Sequence, residues 1–324
     1  MNLFRLAVTM FFFFPVLLPM ASAAVAAEPL RFAYQNRIGD AVSIIALNKD
    51  FFAEEGLRVK GLLFNNGAAC AEAIFTGAVD VATMGDTAAL LAVSREPALR
   101  IIASHGSGEK RHRIIVPPTS PIRSLTDLKG KRIGVKKGTS THGGFLALLA
   151  AKGISYLDLQ IIDLDPAFMP DALAARSLDA FVASEPTPSL AEQKRGRELA
   201  DLGGLGNNYP LLILVKTSLM SKRNEELHRF MRALARAEQF VHRYPEETAL
   251  LLSKETGLSP EMVGKAMQRH SYRLQLDGVT TASLGQTATF LKEQHKLNRV
   301  PELSDVITTH YLQQLGPPQP GPAR

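Results

Sequence analysis

Apolar and polar positions alternate along this chain in two spacings, one typical of strands and the other of helices. From residue 30 onward, short apolar runs are separated by segments of about ten residues in which the apolar positions fall at helical spacing. Strands and helices in alternation predict βαβ units and a mainly parallel sheet. The predicted strands are 30–34, 57–64, 79–84, 99–103, 113–116, 133–135, 159–162, 180–183 and 211–215. The predicted helices between them are 41–55, 68–76, 87–93, 143–151, 167–175 and 189–197.

The strand-and-helix pattern runs through twice before the chain becomes helical. We place two crossings between the resulting units, in the extended stretches 113–117 and 209–215. Residues 224–244 predict a helix with one apolar face, and Ser259 before a proline predicts the N-cap of a later helix. This organisation indicates an α/β fold with two lobes, and a cleft between two lobes is where a ligand would be enclosed.

The first 27 residues have the anatomy of a secretory signal peptide. Arg5 supplies a positive start, residues 6–20 an apolar core, and residues 21–27 small side chains at cleavage spacing. A membrane anchor is the alternative, but a span needs about 20 apolar residues, and this run is shorter and contains two prolines. No cysteine lies near the predicted cleavage point before Glu28. We therefore expect a periplasmic protein without a lipid anchor.

The charge and the cysteine content of the chain argue against a nucleic-acid partner and a reactive thiol, and they exclude an internal disulfide. The chain has 37 Lys and Arg against 31 Asp and Glu, a formal net charge of +6, and loss of Arg5 with the leader lowers this to +5. The densest basic stretch, residues 110–113, has no interleaved aromatic residues, so we interpret it as a solvated face and expect no nucleic-acid partner. Cys70 is the only cysteine, which excludes an internal disulfide, and its small neighbours predict a buried and unreactive thiol.

Several phrases, taken in order, resemble a known family. They are 50–57 (DFFAEEGL), 72–80 (EAIFTGAVD), 124–135 (SLTDLKGKRIGV), 178–182 (LDAFV) and the pair 185–186 (EP). The chain resembles the periplasmic solute-binding proteins of ABC importers, in the nitrate, sulfonate and taurine group, which shares its fold with thiamine-pyrimidine binders. One departure is that Ser184 stands where the family often has an aromatic residue, and the chain has no tryptophan.

The resemblance implies a bilobal periplasmic-binding-protein fold of type II, with two parallel-sheet lobes, crossover strands and a helical C-terminal segment. We assign residues 1–27 to the signal peptide, 28–115 and 212–324 to lobe one, and 116–211 to lobe two. The resemblance further implies a monomer without a cofactor, which captures a small solute and delivers it to an ABC transporter permease in the inner membrane.

Candidate ligand residues follow from strand ends, because open α/β sheets bind ligands beyond the carboxyl ends of their strands. The loop 138–143 is the sharpest candidate, since glycines and the free N–H groups of a helix start suit an oxyanion. A plain N-cap is the alternative, and the spacing excludes a nucleotide P-loop. The candidate ligand-binding residues are Gln35, Asn36, Arg37, Asn66, Gly67, Asp86, Thr87, Thr139, Ser140, Thr141, His142, Glu185 and Tyr209.

Each charged or aromatic candidate has two interpretations. Arg37 would pair with an anionic ligand, and Asp86 with Glu185 would accept hydrogen bonds from an amine or amide, but all three could instead form caps or salt bridges between the lobes. Tyr209 would line the cleft or pack in the core or hinge. His142 would make a pH-dependent contact if its pKa keeps the unperturbed value near neutrality, or it would be a solvated residue at a helix start.

The sequence gives no sign of catalysis. It has no HExxH, no Cys/His cluster, hence no metal site, and no G-x-S-x-G elbow. The enzyme alternative is a thiamine-pyrimidine synthase, which has the same fold as these binders. Such an enzyme depends on a Cys-rich motif, and the single cysteine of this chain argues against it. The other alternative is an extracytoplasmic ligand sensor. We expect a binding protein for a small oxyanion such as a sulfonate, with a zwitterion like taurine or an aminopyrimidine as the other ligand classes.

Overall fold

Ten strands form two five-stranded sheets in the computed structural model, which describes residues 28–315. The first sheet has the order β2-β1-β3-β10-β4 and the second the order β7-β6-β8-β5-β9. The strands are β1 (Leu30–Gln35), β2 (Val59–Phe64), β3 (Val81–Gly85), β4 (Leu99–Gly106), β5 (His112–Val116), β6 (Arg132–Val135), β7 (Gln160–Asp163), β8 (Ala180–Ser184), β9 (Arg197–Asp201) and β10 (Leu211–Lys216).

Helices cover the sheets, and most of those after β10 pack on the first sheet and its helices. The described helices are α1 (Ala41–Asn48), α2 (Phe51–Glu54), α3 (Gly67–Phe75), α4 (Asp86–Arg95), α5 (Ser140–Ala151), α6 (Met169–Ala174), α7 (Thr187–Gln193), α8 (Thr217–Lys222), α9 (Asn224–Arg243), α10 (Pro245–Thr256), α11 (Pro260–Met267), α12 (Gly278–Glu293), α13 (Leu303–Val306) and α14 (His310–Gln313). Short 3-10 turns occur at Ile38–Asp40, Leu125–Leu128, Tyr156–Asp158 and Pro166–Phe168.

The two sheets share one pairing scheme. In the first sheet β1 pairs in parallel with β2 and β3, and β10 runs antiparallel between β3 and β4. In the second sheet β6 pairs in parallel with β7 and β8, and β5 runs antiparallel between β8 and β9. Because β5 and β10 are the first strands after each crossing, they enter their sheets from the cleft side and run against their neighbours. The predicted α/β class is confirmed, with one inserted antiparallel strand in each sheet.

The crossings lie next to the stretches assigned from sequence. The chain passes from β4 to β5 through residues 107–111 and returns from β9 to β10 through residues 202–210. The predicted crossings at 113–117 and 209–215 fall mostly within β5 and β10, which are buried sheet strands. Apolar extended residues look alike in a strand and in a linker, so the sequence pattern could not separate the two. The predicted end of lobe one at residue 115 thus falls inside a strand of the second sheet.

Two further elements differ from their predictions. The helix predicted at 41–55 is two helices, α1 and α2, because Asp50 between them has a left-handed φ of 56°. The helix predicted at 189–197 ends with Gln193, and the chain then forms β9. All five β9 residues are half-buried, so this strand lacks the apolar run or alternation by which a strand is recognised.

The C-terminal helices behave as their apolar stripes predict. Ser259 is confirmed as an N-cap, its side chain accepting a hydrogen bond from the Met262 amide, with Pro260 in the first helical position. Helix α9 is confirmed from Asn224, and its buried face packs against α1 beside the first sheet. No helix among residues 28–315 is long and apolar enough to cross a membrane. The predicted signal peptide of residues 1–27 lies outside the described residues, as do residues 316–324.

Three aromatic rings anchor α9 to the first sheet. Phe230 of α9 stacks on Phe52 of α2 at 4.9 Å between ring centroids and meets Phe32 of β1 edge-on at 5.0 Å. All three rings are buried. This cluster joins an early strand to a helix that follows both crossings, so it ties the returning segment to the first sheet.

We predict that Phe230→Ala lowers the free energy of unfolding by about 3–5 kcal/mol, because it removes a buried ring and leaves a cavity between two other rings. The measurement is urea unfolding followed by circular dichroism. Phe168→Ala, at a side chain that is 63% exposed, is the matched control and should change the free energy by less than about 0.5 kcal/mol. Equal effects of the two substitutions would contradict this account of the core.

Candidate functional site

A cavity of about 30 Å³ lies where the carboxyl ends of the parallel strands of the two sheets face each other. Both sheets and the first crossing contribute to its walls. From the first sheet and its helices come Gln35, Arg37, Asn66, Gly67, Gly85, Ala88 and Leu211. From the second come His112, Lys136, Thr139, Ser140, Thr141, Pro166, Val182, Ala183 and Ser184, and the crossing provides Arg111.

Three helix N-termini meet at this cavity. Helix α3 begins after Asn66, whose side chain accepts from the Ala69 amide at 3.0 Å, and α5 begins after Thr139, whose side chain accepts from the His142 amide at 3.4 Å. Helix α4 begins after Gly85, which also lines the cavity. The free N–H groups and the macrodipole of each helix make this region attractive to negative charge.

The absence of a side chain at Gly85 allows two of these helix starts to approach each other. A Cβ atom at this position would overlap the hydroxyl of Ser140, at the start of α5. Gly143, one turn further along α5, lies in the same way against Thr87 of α4. Glycine at these places lets the second-sheet helix pack directly on the first-sheet helix.

Two buried guanidinium groups supply positive charge. Arg37 donates to the side-chain oxygen of Gln35 at 3.2 Å, to the Asn65 carbonyl at 2.6 Å and to the Ser184 hydroxyl at 2.7 Å. Arg111 donates from Nε to the Tyr209 carbonyl at 3.1 Å. Burial lowers the pKa of both arginines, that of Arg111 to about 10, and a guanidinium group remains protonated in proteins at neutral pH.

Three buried polar atoms at the cavity have no hydrogen-bond partner among the described residues. They are Nη2 of Arg111, Nε2 of His112 and Oγ of Ser140. His112 lies with Nδ1 2.9 Å from the Thr141 hydroxyl, and burial lowers its pKa well below 6.5, so the ring is neutral. Buried polar atoms are costly to leave unpaired, and an unpaired donor beside a cavity favours a ligand that offers acceptor oxygens.

An acidic residue lies close to both guanidinium groups. Asp40 is fully buried; its Oδ1 accepts from the Thr83 hydroxyl at 2.8 Å and lies 3.8 Å from His105 Nε2. Burial raises the pKa of Asp40 to about 6, although the Thr83 bond and the charges of Arg37 and Arg111 oppose this rise. Burial and the Arg111 charge lower the pKa of His105 to about 3, so His105 carries no charge that could offset the aspartate.

Comparison with known proteins supports an interpretation of this geometry. The model of the family described as NMT1/THI5 like matches residues 40–248. The chain belongs to the NMT1/THI5-like family. The taurine-binding periplasmic protein of Escherichia coli is 25% identical to it over 297 residues, covering 87% of this chain and 92% of the relative.

Solved structures show the same architecture. The alkanesulfonate-binding protein SsuA from Xanthomonas axonopodis pv. citri, bound to MOPS, is 26% identical with a TM-score of 0.79, over 87% of this chain and 99% of that one. The desulfurization enzyme DSZB is 17% identical with a TM-score of 0.70, over 89% of this chain and 99% of that one, and this likeness shows the fold alone. This NMT1/THI5-like chain therefore has the periplasmic-binding-protein fold that its sequence predicts.

In this NMT1/THI5-like chain the structure brings seven of the predicted ligand residues to the cavity wall. They come from strand ends and helix starts in both sheets, as the carboxyl-end rule requires. These residues are Gln35, Arg37, Asn66, Gly67, Thr139, Ser140 and Thr141. The other six, Asn36, Asp86, Thr87, His142, Glu185 and Tyr209, are not part of its lining.

The two predicted acidic contacts have protein partners instead. Glu185 pairs with Arg113 at 2.5 Å and accepts from the Ser189 amide, so its carboxylate is held within the second sheet and its helices. Asp86 accepts from the Thr87 amide at 2.7 Å and from the Thr287 hydroxyl at 3.0 Å. The geometry therefore does not support the prediction that these two carboxylates accept hydrogen bonds from an amine or amide of a ligand.

Tyr209 and His142 have structural contacts. The Tyr209 hydroxyl donates to the Leu202 carbonyl at 2.9 Å, and the ring is buried, which matches the packing alternative. His142 accepts weakly from the Gly138 amide at 3.4 Å. The condition for a pH-dependent contact of His142, an unperturbed pKa, is not met, because burial, with Lys296 and Lys137 nearby, lowers its pKa to about 4.

The sequence reasoning missed Arg111 and His112. The interpretation of residues 110–113 as a solvated face is wrong for three of them, since Arg111, His112 and Arg113 are only 3%, 1% and 3% exposed. A usable signal was their place immediately before an apolar strand at the boundary between the two α/β units. Because a cleft forms at the boundary between two such units, the position of Arg111 and His112 in the sequence indicates that they can reach it. Cys70, in contrast, is confirmed as buried, and burial raises the pKa of its thiol.

We predict that the contribution of Asp40 to the stability of the fold falls as the pH rises through 6, because Asp40 has a folded-state pKa of about 6 against an ordinary value of 3.8. The protonated form stabilises the fold, fully so below the unfolded value, and this contribution is lost as Asp40 ionises. Two pKa units correspond to about 3 kcal/mol. Asparagine does not ionise, so Asp40→Asn lacks this loss. The free energy of unfolding of the variant, relative to that of the parent, should therefore rise by about 3 kcal/mol between pH 4 and pH 7.5, as measured by urea unfolding.

Asp305→Asn, which removes an exposed carboxylate, is the control for the loss of one negative charge. A constant difference between Asp40→Asn and the parent across the same range would show that Asp40 does not titrate near pH 6.

Proposed function

We propose that this protein is the periplasmic ligand-binding component of an ABC importer and that its ligand is a small oxyanion, with the sulfonate class favoured. The observation that carries the proposal is the unpaired Nη2 of the buried Arg111 at a cavity where three helix N-termini meet. The sulfonate group offers three oxygen acceptors and one negative charge, which such a donor set would bind. The relatives named for taurine and alkanesulfonate binding support this choice.

Two lobes and a closing cleft are part of the proposal. Lobe one would contain the first sheet and the C-terminal helices, and lobe two the second sheet, with limits at the crossings 107–111 and 202–210. Hydrogen bonds between the two lobes include those from Arg37 to Ser184 at 2.7 Å, from Asn66 to Asp165 at 3.3 Å and from Arg269 to Glu198 at 3.0 Å. These bonds require the two lobes to be close together, which supports the assignment of this arrangement to the closed state. Ligand capture then follows from a higher affinity of the closed state.

Delivery to a membrane permease, export by the leader 1–27 and a monomeric state belong to the same proposal. They rest on the family, on the periplasmic relative and on the leader pattern in the sequence. A sensor that presents its ligand to a membrane receptor would use the same cleft, and no feature of the described residues favours that alternative.

A binding role without catalysis completes the proposal, although an enzyme, DSZB, shares the fold. The thiol of Cys70 lies outside the cavity lining, and burial together with Asp40 raises its pKa, which keeps it protonated and unreactive. The polar atoms that do reach the cavity are hydrogen-bonding groups of Arg, His, Ser, Thr, Asn, Gln and Lys side chains. Such a set suits recognition of an anion.

The test is a calorimetric titration of residues 28–324 with ethanesulfonate, taurine, nitrate, methylphosphonate and an aminopyrimidine. We expect ethanesulfonate to bind and the aminopyrimidine not to bind, because two guanidinium groups face the cavity. A sulfonate at about 100 times its dissociation constant should also raise the free energy of unfolding by about 2.7 kcal/mol. Binding of the aminopyrimidine with no response to any anion would contradict the proposal.

We also predict that Ser140→Ala weakens ethanesulfonate binding about tenfold, because the unpaired hydroxyl would donate a hydrogen bond to a charged oxygen. The measurement is the dissociation constant from the same titration. Ser120→Ala is the matched control, because Ser120 is also a buried serine of the second sheet region but does not line the cavity. An unchanged dissociation constant in Ser140→Ala would remove the start of α5 from the binding site.

A further inference from the structure

The two crossings between the sheets are bonded to each other. The Gly108 amide of the first crossing donates to the Asn208 carbonyl of the second at 2.8 Å. Tyr209 has a left-handed φ of 46°, which is uncommon for a residue with a side chain, and a Cβ at Gly108 would overlap the Arg269 carbonyl. Any rotation of one lobe against the other must change backbone angles in these segments, so they form the hinge.

The side chain of Arg111 connects this hinge to the cavity. Its Nε donates to the Tyr209 carbonyl of the second crossing at 3.1 Å, while its backbone belongs to the first crossing. Its Nη2 reaches the cavity and would lie 3.5 Å from a Cβ built on Gly85, next to the Ser140 hydroxyl. One planar group thus touches both hinge segments at one end and the meeting point of the two lobes at the other.

The nearby carboxylates do not compete for this guanidinium. Asp86 is bonded to Asn207 at 3.1 Å and to Thr287 at 3.0 Å, and Asp40 to Thr83 at 2.8 Å. Their charges act on Arg111 without a hydrogen bond to it among the described residues. Because the guanidinium is rigid, an oxygen that fixes Nη2 in the cavity also fixes the direction in which Nε points.

We propose that Arg111 is a positioning residue that transmits ligand binding to the hinge: a ligand oxyanion held by Nη2 locks the Nε–Tyr209 carbonyl bond and with it the closed arrangement of the two crossings. This inference rests on the proposed function, since it takes an oxyanion as the ligand. Arg111 would thus couple ligand binding to lobe closure, whereas the other residues of the cavity wall would contribute to affinity alone.

The test separates binding from closure. Lys60→Cys and Lys152→Cys, at exposed positions on the two sides of the cleft, carry a fluorescent donor and acceptor, and energy transfer reports the distance between the lobes with saturating ethanesulfonate. Buried Cys70 is expected to stay unlabelled. Calorimetry on the same samples gives the dissociation constant.

Arg111→Lys keeps the positive charge, but one ammonium group cannot hold the Tyr209 carbonyl and a cavity oxygen in the way a planar fork does. We expect it to bind ethanesulfonate at least tenfold more weakly and, once saturated, to show less than half of the parent's distance change. Ser140→Ala is the matched control: it also loses a cavity donor but has no hinge contact, so at saturation it should close as far as the parent.

Full closure of saturated Arg111→Lys would overturn this inference and leave the proposed function intact. Failure of the parent itself to bind ethanesulfonate would overturn both together. If Arg111→Lys does not fold, hydrogen exchange in the parent decides: ethanesulfonate should slow exchange of the Gly108 amide at least tenfold, and an unchanged rate would overturn the inference.

Discussion

Arg37 and Arg111 place two guanidinium groups at the boundary between the sheets, each less than a tenth exposed. A buried charge destabilises a fold unless hydrogen bonds or an opposite charge compensate for its lost hydration. Arg37 obtains three oxygen partners, one of them across the cleft, whereas Arg111 obtains one carbonyl. The convergence of helix starts adds further positive potential, so this boundary favours an anion on electrostatic grounds.

That boundary exists because the chain crosses between the sheets twice. Each crossing starts at the carboxyl edge of one sheet and delivers an antiparallel strand into the other, so strand ends and helix N-termini of both sheets face one cleft. The insertion of β10 next to β3 places Leu211 beside Gly85 in the cavity wall. The same topology that joins the two sheets therefore also assembles the cavity, and Arg111 of the first crossing forms part of its wall.

Much of the fold could be predicted from sequence, because apolar spacing and helix caps are local properties. Ser259 and the stripe of α9 are examples, and the carboxyl-end rule selected Arg37 and Ser140 without knowledge of side-chain packing. Partners distant in sequence could not be read in this way. Glu185 pairs with Arg113, 72 residues earlier, and Asp86 bonds to Thr287, 201 residues later. The sequence leaves both open as ligand contacts, caps or salt-bridge residues, because their neighbours in sequence do not show which partners they have.

The sequence likewise does not show which charged residues are buried. The basic run 110–113 has the composition of a solvated surface, and only its position at the end of a crossing brings Arg111 and His112 to the cavity wall. This matters for function, since the same scaffold serves binding proteins and at least one enzyme. The fold fixes where a site lies, while the side chains that reach it determine its chemistry. Here the polar side chains in the cavity wall include two buried guanidinium groups and no thiol, and a donor set of this kind favours an oxygen-bearing anion.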